Sequence, residues 1–276
     1  MRFGLDIAQH QLSWDELLDR ARFGELLGFD GAWVFDHFKA LYGDTSGPCL
    51  EGWTLLGALA ASTERIRLGV LVSGVTYRPP ALLAAEAITV DHVSHGRLEL
   101  GMGAAWHRQE HRELGFSFPG ARSRIERLEE AVGIVKLLST MDDVTYIGQH
   151  YRVEGATFRP RPVQQPHPPI WIGGGGERLT LPVVARVADF WHGFGPVPEL
   201  VRKSHLLDQL ADKAGRDPGS IGRATSLSLS EPRPSVQGRI ESLAAAGFSY
   251  LTVSWPSEGS RRVEEFAHDV MPLYAD

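Results

Sequence analysis

Apolar and polar positions along this chain switch repeatedly between two periods. Short, almost wholly apolar β-rich runs are each followed by a longer stretch with apolar residues at helical spacing. The first run covers Phe3 to Ala8. Its helix starts at Ser13, an N-cap with Glu16 as capping-box partner, buries Leu17, Leu18, Ala21, Leu26 and Leu27, and closes at Gly28. The second run, Gly31 to Asp36, leads through a loop to a Leu- and Ala-rich helix over Gly52 to Ser62. The third, Ile66 to Val72, is stopped by a glycine and two prolines before a helix from Ala81 to Ser94. The fourth, Arg97 to Met102, opens onto a Gly-Ala-Ala loop, and from Pro119 a long helix keeps Ile125, Leu128, Val132, Val135 and Leu138 in phase.

There the rhythm breaks. Val144 to Phe158 holds two β-rich runs around Gly148-Gln149, which predicts a hairpin inserted at about 140–166 and closed by a proline-rich link. The alternation then resumes with a strand at Pro169 to Gly174 and a helix over Glu177 to Ala188, where Pro182 requires a late start or a kink. A strand at Asp189 to Phe194, a helix over Val197 to Ala214 and a strand at Ala224 to Ser230 follow. A helix from Ser235 ends at Gly247, and a strand at Tyr250 to Trp255 precedes a last helix from Ser260. Eight strand-then-helix units predict an α/β fold, a (β/α)8 TIM barrel carrying the hairpin insertion, as one domain over 1–276. The competing fold is an open doubly wound sheet, but the first turn, AQHQLS, lacks the glycine such a sheet places there.

Composition narrows the function more than the fold. With 276 residues, 43% of them hydrophobic, and a net charge of −6 in which no long block of one sign occurs, the chain suits neither a nucleic-acid partner nor a membrane surface. No apolar run reaches the roughly 18 residues of a membrane span, and the N-terminus is already a strand pattern rather than a signal peptide. The single cysteine, Cys49, makes no internal disulfide, as expected of a cytoplasmic protein.

In a barrel the chemistry lies at the C-terminal ends of the strands. Those ends carry Asp36-His37, Ser73-Gly74-Val75, Gly101 to Trp106, Gly173 to Glu177, His192 and Trp255. Strands three and four end in small residues, so backbone is open to a flat ligand. Gly101-Met102-Gly103 begins like a dinucleotide fingerprint, but Trp106 stands where its third glycine belongs. Gly173, Gly174, Gly175 and Gly176 run into a helix, a costly sequence that makes sense where N–H groups face a phosphate. His107-Arg108-Gln109-Glu110-His111 spells the H-x-x-E-H of inverted zinc peptidases, which raises a zinc hydrolase using His107 and His111; a helix start lining the site is the simpler expectation, with no metal. Asp36-His37 is the pair suited to acid–base work near neutral pH, against a purely structural histidine.

Three stretches together, GFDGAWVFDHF, GVTYRPPALLAAEAITVDHVSHGRLELGMGAAWHRQEH and PPIWIGGGGER with ARVADFW, resemble the bacterial luciferase-like superfamily, and within it the oxidoreductases dependent on the deazaflavin coenzyme F-420. The resemblance spans nearly the whole chain. It implies a coenzyme ring over the strand ends, with Asp36 and His37 beside it and Gly74-Val75 forming a cis-peptide bulge behind it. It also implies ring and ribityl contacts from Met102 and Gly103, and a phosphate turn at Gly174 to Gly176. Ala104 stands where sugar-phosphate dehydrogenases of the class place a catalytic glutamate, which argues for a different substrate and leaves His37 as the acid–base candidate. The function expected is hydride transfer between F-420 and a small organic substrate. The alternative is an FMN-dependent monooxygenase using reduced flavin and O₂. Members of the class commonly dimerise, which admits a homodimer here.

Overall fold

The computed structural model describes residues 1–274. In chain order the strands are β1 (Arg2–Asp6), β2 (Gly31–Val34), β3 (Arg67–Gly74), β4 (Leu98–Gly103), β5 (Val144–Ile147), β6 (Arg152–Ala156), β7 (Ile170–Gly173), β8 (Phe190–Gly193), β9 (Gly222–Leu227) and β10 (Tyr250–Ser254). The helices are α1 (Trp14–Leu26), α2 (Gly52–Ser62), α3 (Pro80–Val93), α4 (Arg108–Leu114), α5 (Ala121–Thr140), α6 (Thr180–Val187), α7 (Val197–Lys213), α8 (Arg233–Ala245) and α9 (Ser260–Asp269). Eight parallel strands close in the order β1-β10-β9-β8-β7-β4-β3-β2, with β1 paired to both β10 and β2, while β5 and β6 form a separate antiparallel hairpin. The expected barrel and its inserted hairpin are therefore both present. Among the described residues no helix is long and apolar enough to cross a membrane.

Each barrel strand has two buried faces, which is why its sequence reads as continuously apolar. Leu5, Leu68, Leu100, Ile172 and Val253 pack in one core with helix residues such as Leu17, Leu56 and Leu138. Alternate positions form a second cluster of Trp33, Trp171, Tyr250 and Ala224 that fills the barrel interior. Glycine opposite these rings is a packing requirement. A Cβ on Gly4 would stand 2.3 Å from the Tyr250 hydroxyl, and one on Gly69 would stand 2.4 Å from the Trp33 ring.

Local signals set several element ends. Ser13 and Glu16 cap α1 reciprocally. Pro182 falls in the first turn of α6, where its missing N–H has no intrahelical partner to lose, so the helix starts late and does not kink. The short helix α4 ends at Gly115 in the left-handed conformation (φ 75°), and α5 begins at Ala121, two residues beyond the expected Pro119.

Strand β3 departs most from expectation. It runs two residues past Val72, and its register against β4 slips between Val70 and Ser73. The non-proline cis peptide lies inside this bulge, at Leu71–Val72; it is not at Gly74–Val75, where the resemblance put it. The bulge brings Val72 over the end of β4, where a Cβ on Gly103 would sit 2.5 Å from Val72 Cγ2, and one on Gly173 would sit 3.1 Å from Val72 Cγ1. The bare strand ends in the sequence thus make room first for a valine.

Candidate active site

The C-terminal ends of β2, β3, β4, β7 and β8 surround a cavity of about 920 Å³. Of the residues singled out by sequence, Asp36, His37, Gly74, Gly103, Ala104, Gly173, Gly174 and Gly176 line it. Four others do not. Ser73 is buried and accepts a hydrogen bond from Trp53 Nε1 (2.9 Å), Val75 and Met102 are buried in the core, and Gly175 faces Lys203. For Met102 strand alternation explains this: β4 turns Gly101 and Gly103 into the barrel and Met102 toward the helices.

His37 follows β2 and lies at the cavity wall, its side chain 12% exposed. Its Nδ1 is 2.8 Å from Oε2 of Glu110 in α4. The same carboxylate accepts from the Tyr77 hydroxyl (2.6 Å) and from the Phe38 N–H (2.8 Å). Burial works to raise the Glu110 carboxyl, but the His37 and Tyr77 hydrogen bonds outweigh it and hold the group down at about 2. An ionised carboxylate only accepts, so Nδ1 carries the proton and Nε2 is the basic nitrogen of the neutral ring. Nε2 has no protein partner among the described residues.

Asp36 serves its neighbours. Its two carboxylate oxygens each accept from Arg78 Nη1 at 2.8 Å, and Oδ2 also takes the Gly74 N–H at 3.0 Å. Burial pushes this carboxyl up to about 6 against the pull of Arg78. Arg78 is held further by Glu51 and by Glu86 at 3.1 Å. Asp36 thereby ties the end of β2 to the loop beyond the bulge.

The H-x-x-E-H residues do not converge. His107 caps α4, its Nδ1 accepting from the Glu110 N–H at 3.1 Å. His111 is fully buried, its Nδ1 donating to the His107 carbonyl (2.9 Å) and its Nε2 2.6 Å from Thr76 Oγ1. Glu110 belongs to His37. No group of three or more His, Cys, Asp or Glu side chains able to hold a metal occurs among the described residues.

The glycine turn leads from β7 toward α6. Gly174 adopts φ 130°, a conformation that only glycine takes without strain, and its N–H donates to the His192 carbonyl. The N–H groups of Gly175 to Leu179 have no acceptor within the described protein. A Cβ on Gly175 would lie 2.7 Å from Lys203 Nζ, so an ammonium backs the turn, and Arg178 lines the cavity beside it. Unpaired N–H groups before a helix, with two cations close by, suit an anion.

Two strand-end residues fall outside the site. His192 is buried, its Nε2 3.1 Å from Thr252 Oγ1, and burial pushes its pKa down to about 3. Trp255 lies under the Arg20 guanidinium, 4.3 Å from ring centroid to cation. Sequence reading missed Glu110 as a partner of His37, and also Tyr77, Arg78 and Arg124. Glu110 was visible only as the middle of a supposed zinc motif. Arg124 lines the cavity and donates through Nε to the Ala104 carbonyl (3.0 Å) and through Nη1 to the Pro119 carbonyl (2.5 Å).

A closed (β/α)8 barrel with an imidazole–carboxylate pair and an anion turn at one mouth is the architecture of an enzyme. Over residues 1–231 the chain matches the luciferase-like monooxygenase family, and it belongs to that family. An F420-dependent glucose-6-phosphate dehydrogenase of Microbacterium testaceum is 34% identical over 234 residues, 83% of this chain and 68% of that protein. An FMNH(2)-dependent dimethylsulfone monooxygenase of Pseudomonas putida is 30% identical over 210 residues, 75% of this chain and 56% of that one. The chain thus spans little more than half the length of the second relative. An F420-dependent secondary alcohol dehydrogenase, solved with an F420-acetone adduct, shares the fold at TM-score 0.88 and 18% identity, covering 100% of this chain and 99% of its own.

Proposed function

We propose that this enzyme moves a hydride between coenzyme F-420 and a small organic substrate, with His37 carrying the accompanying proton. The observation behind the reading is the His37–Glu110 pair, which leaves a basic imidazole nitrogen unclaimed at the wall of the cavity. The residues present fit the coenzyme. The turn at Gly173 to Gly176, with Lys203 and Arg178, would hold its phosphate, and Val72 with Gly103 and Gly173 would support the ring. A deazaflavin, when bound, supplies or takes up a hydride, since it has carbon where a flavin has N5. His37 Nε2 gives a proton to the substrate oxygen in the reductive direction and removes one from a hydroxyl in the oxidative direction. Glu110 holds Nδ1–H and stabilises the imidazolium form between turnovers. Ala104 places a methyl group after Gly103, so no carboxylate assists from that position.

The second reading, an FMN-dependent monooxygenase, is favoured by the Pseudomonas putida relative. Titration of the protein with F-420 and with FMN decides between them. Tighter F-420 binding is expected, and tight FMN binding without F-420 binding reverses the assignment. His37→Ala is expected to lower turnover by about 10²–10⁴-fold while coenzyme affinity stays within a few-fold. Wild-type turnover in that variant moves the proton to water or to another group, and loss of the coenzyme makes His37 a binding residue.

A further inference from the structure

We infer that the substrate is a flat, uncharged aromatic or cyclic carbonyl compound, or the alcohol it forms, seated against the indole of Trp106. This rests on the oxidoreductase reading and names its substrate class. Trp106 is 63% exposed, yet it lines the cavity, with its ring centroid 5.6 Å from that of His37 and the planes at 70°. A bare indole beside the acid–base imidazole is apolar surface that a ligand within reach of Nε2 would cover.

The loop holds it there at a cost. Ala105, just before it, sits at φ 57°, a left-handed conformation that a non-glycine residue adopts only with strain. Such strain persists where the surroundings over-determine it, commonly beside a ligand. Phe35, Ala104, Ile125 and the half-exposed Phe194 complete the apolar wall.

The charges at this end of the cavity are already engaged. Asp36 is taken by Arg78, Glu110 by His37 and Tyr77, and two of the three Arg124 nitrogens by main-chain carbonyls. The glycine turn has its own cations, Arg178 and Lys203, the latter also paired with Glu199 at 2.7 Å. A sugar phosphate would meet an indole and methyl groups where it needs cations and acceptors. Its desolvated hydroxyls would be left unpaired, a heavier penalty than a poor apolar fit.

The experiment measures binding of acetophenone, 2-cyclohexen-1-one and glucose 6-phosphate to the protein alone and to the protein loaded with F-420, by calorimetry. Acetophenone is expected to bind about tenfold or more tightly than glucose 6-phosphate. Trp106→Ala should weaken acetophenone about tenfold, whereas Trp106→Phe should stay within about threefold, and neither should move F-420 affinity more than that. Trp106 is exposed, so both variants should fold, which circular dichroism checks. Unchanged acetophenone affinity in Trp106→Ala, equal or tighter glucose 6-phosphate binding, or no binding of either ketone overturns the inference. If F-420 fails to bind while the ketones still depend on Trp106, the coenzyme assignment falls and the subsite stands.

Discussion

The Nδ1 of His37 lies 2.8 Å from Oε2 of Glu110, a residue 73 positions further along the chain. The pair makes the imidazole directional: one nitrogen is anchored, and the other is left to the cavity.

Glu110→Gln tests that anchoring. The amide keeps the size of the side chain but loses its charge, and its oxygen and nitrogen can each face His37, so the tautomer is no longer imposed. Turnover is expected to fall about 10–100-fold, with a smaller change in KM, as for other residues that orient a functional histidine. Normal turnover in this variant would separate Glu110 from the chemistry.

Acid stability should report the same carboxylate. Its folded pKa, about 2, lies below the ordinary 4.5, so ionised Glu110 favours the folded state. That contribution is complete above about pH 5, declines as the unfolded state begins to take up a proton, and is gone below pH 2. Denaturant titrations at pH 7 and pH 3.5 should show a smaller loss of stability on acidification for Glu110→Gln than for the wild type. Equal losses would mean that another group carries the acid sensitivity.

Gly175→Asp probes the turn. The new carboxylate would meet Lys203 Nζ, 2.7 Å from the position of its Cβ, claim that cation and repel an incoming phosphate. Coenzyme affinity should fall at least about tenfold, equivalent to 1.4 kcal/mol, for F-420 and FMN alike. The lysine is the flexible end of its side chain, so the fold should absorb the change, and unchanged affinity would remove the turn from the site.

His107→Ala should act through the helix alone. It removes the cap of α4, which is expected to cost about 1 kcal/mol and to loosen Glu110 behind it. Elemental analysis should give well under one equivalent of zinc before and after. One equivalent lost together with activity would restore the metal reading of the motif.

The sequence by itself determined what depends on period and on near neighbours. Two-sided burial makes each barrel strand an apolar run, so eight strand-then-helix units and the interrupting hairpin could be counted from pattern, and the closed sheet has that number of parallel strands. The Ser13–Glu16 cap was legible because its two partners are three residues apart. Tertiary structure decided whatever needs the barrel to close. His37 and Glu110 meet only because β3 brings the ends of β2 and β4 to one mouth. His107 and His111 look like a ligand pair until packing assigns each ring its own partner. Gly103 reads as open backbone, yet a bulge two strand positions long turns Val72 over it, and no period-2 pattern announces a slip of register. Local propensity acts over a few residues, whereas a site of this kind is assembled from strand ends that the chain visits one unit at a time.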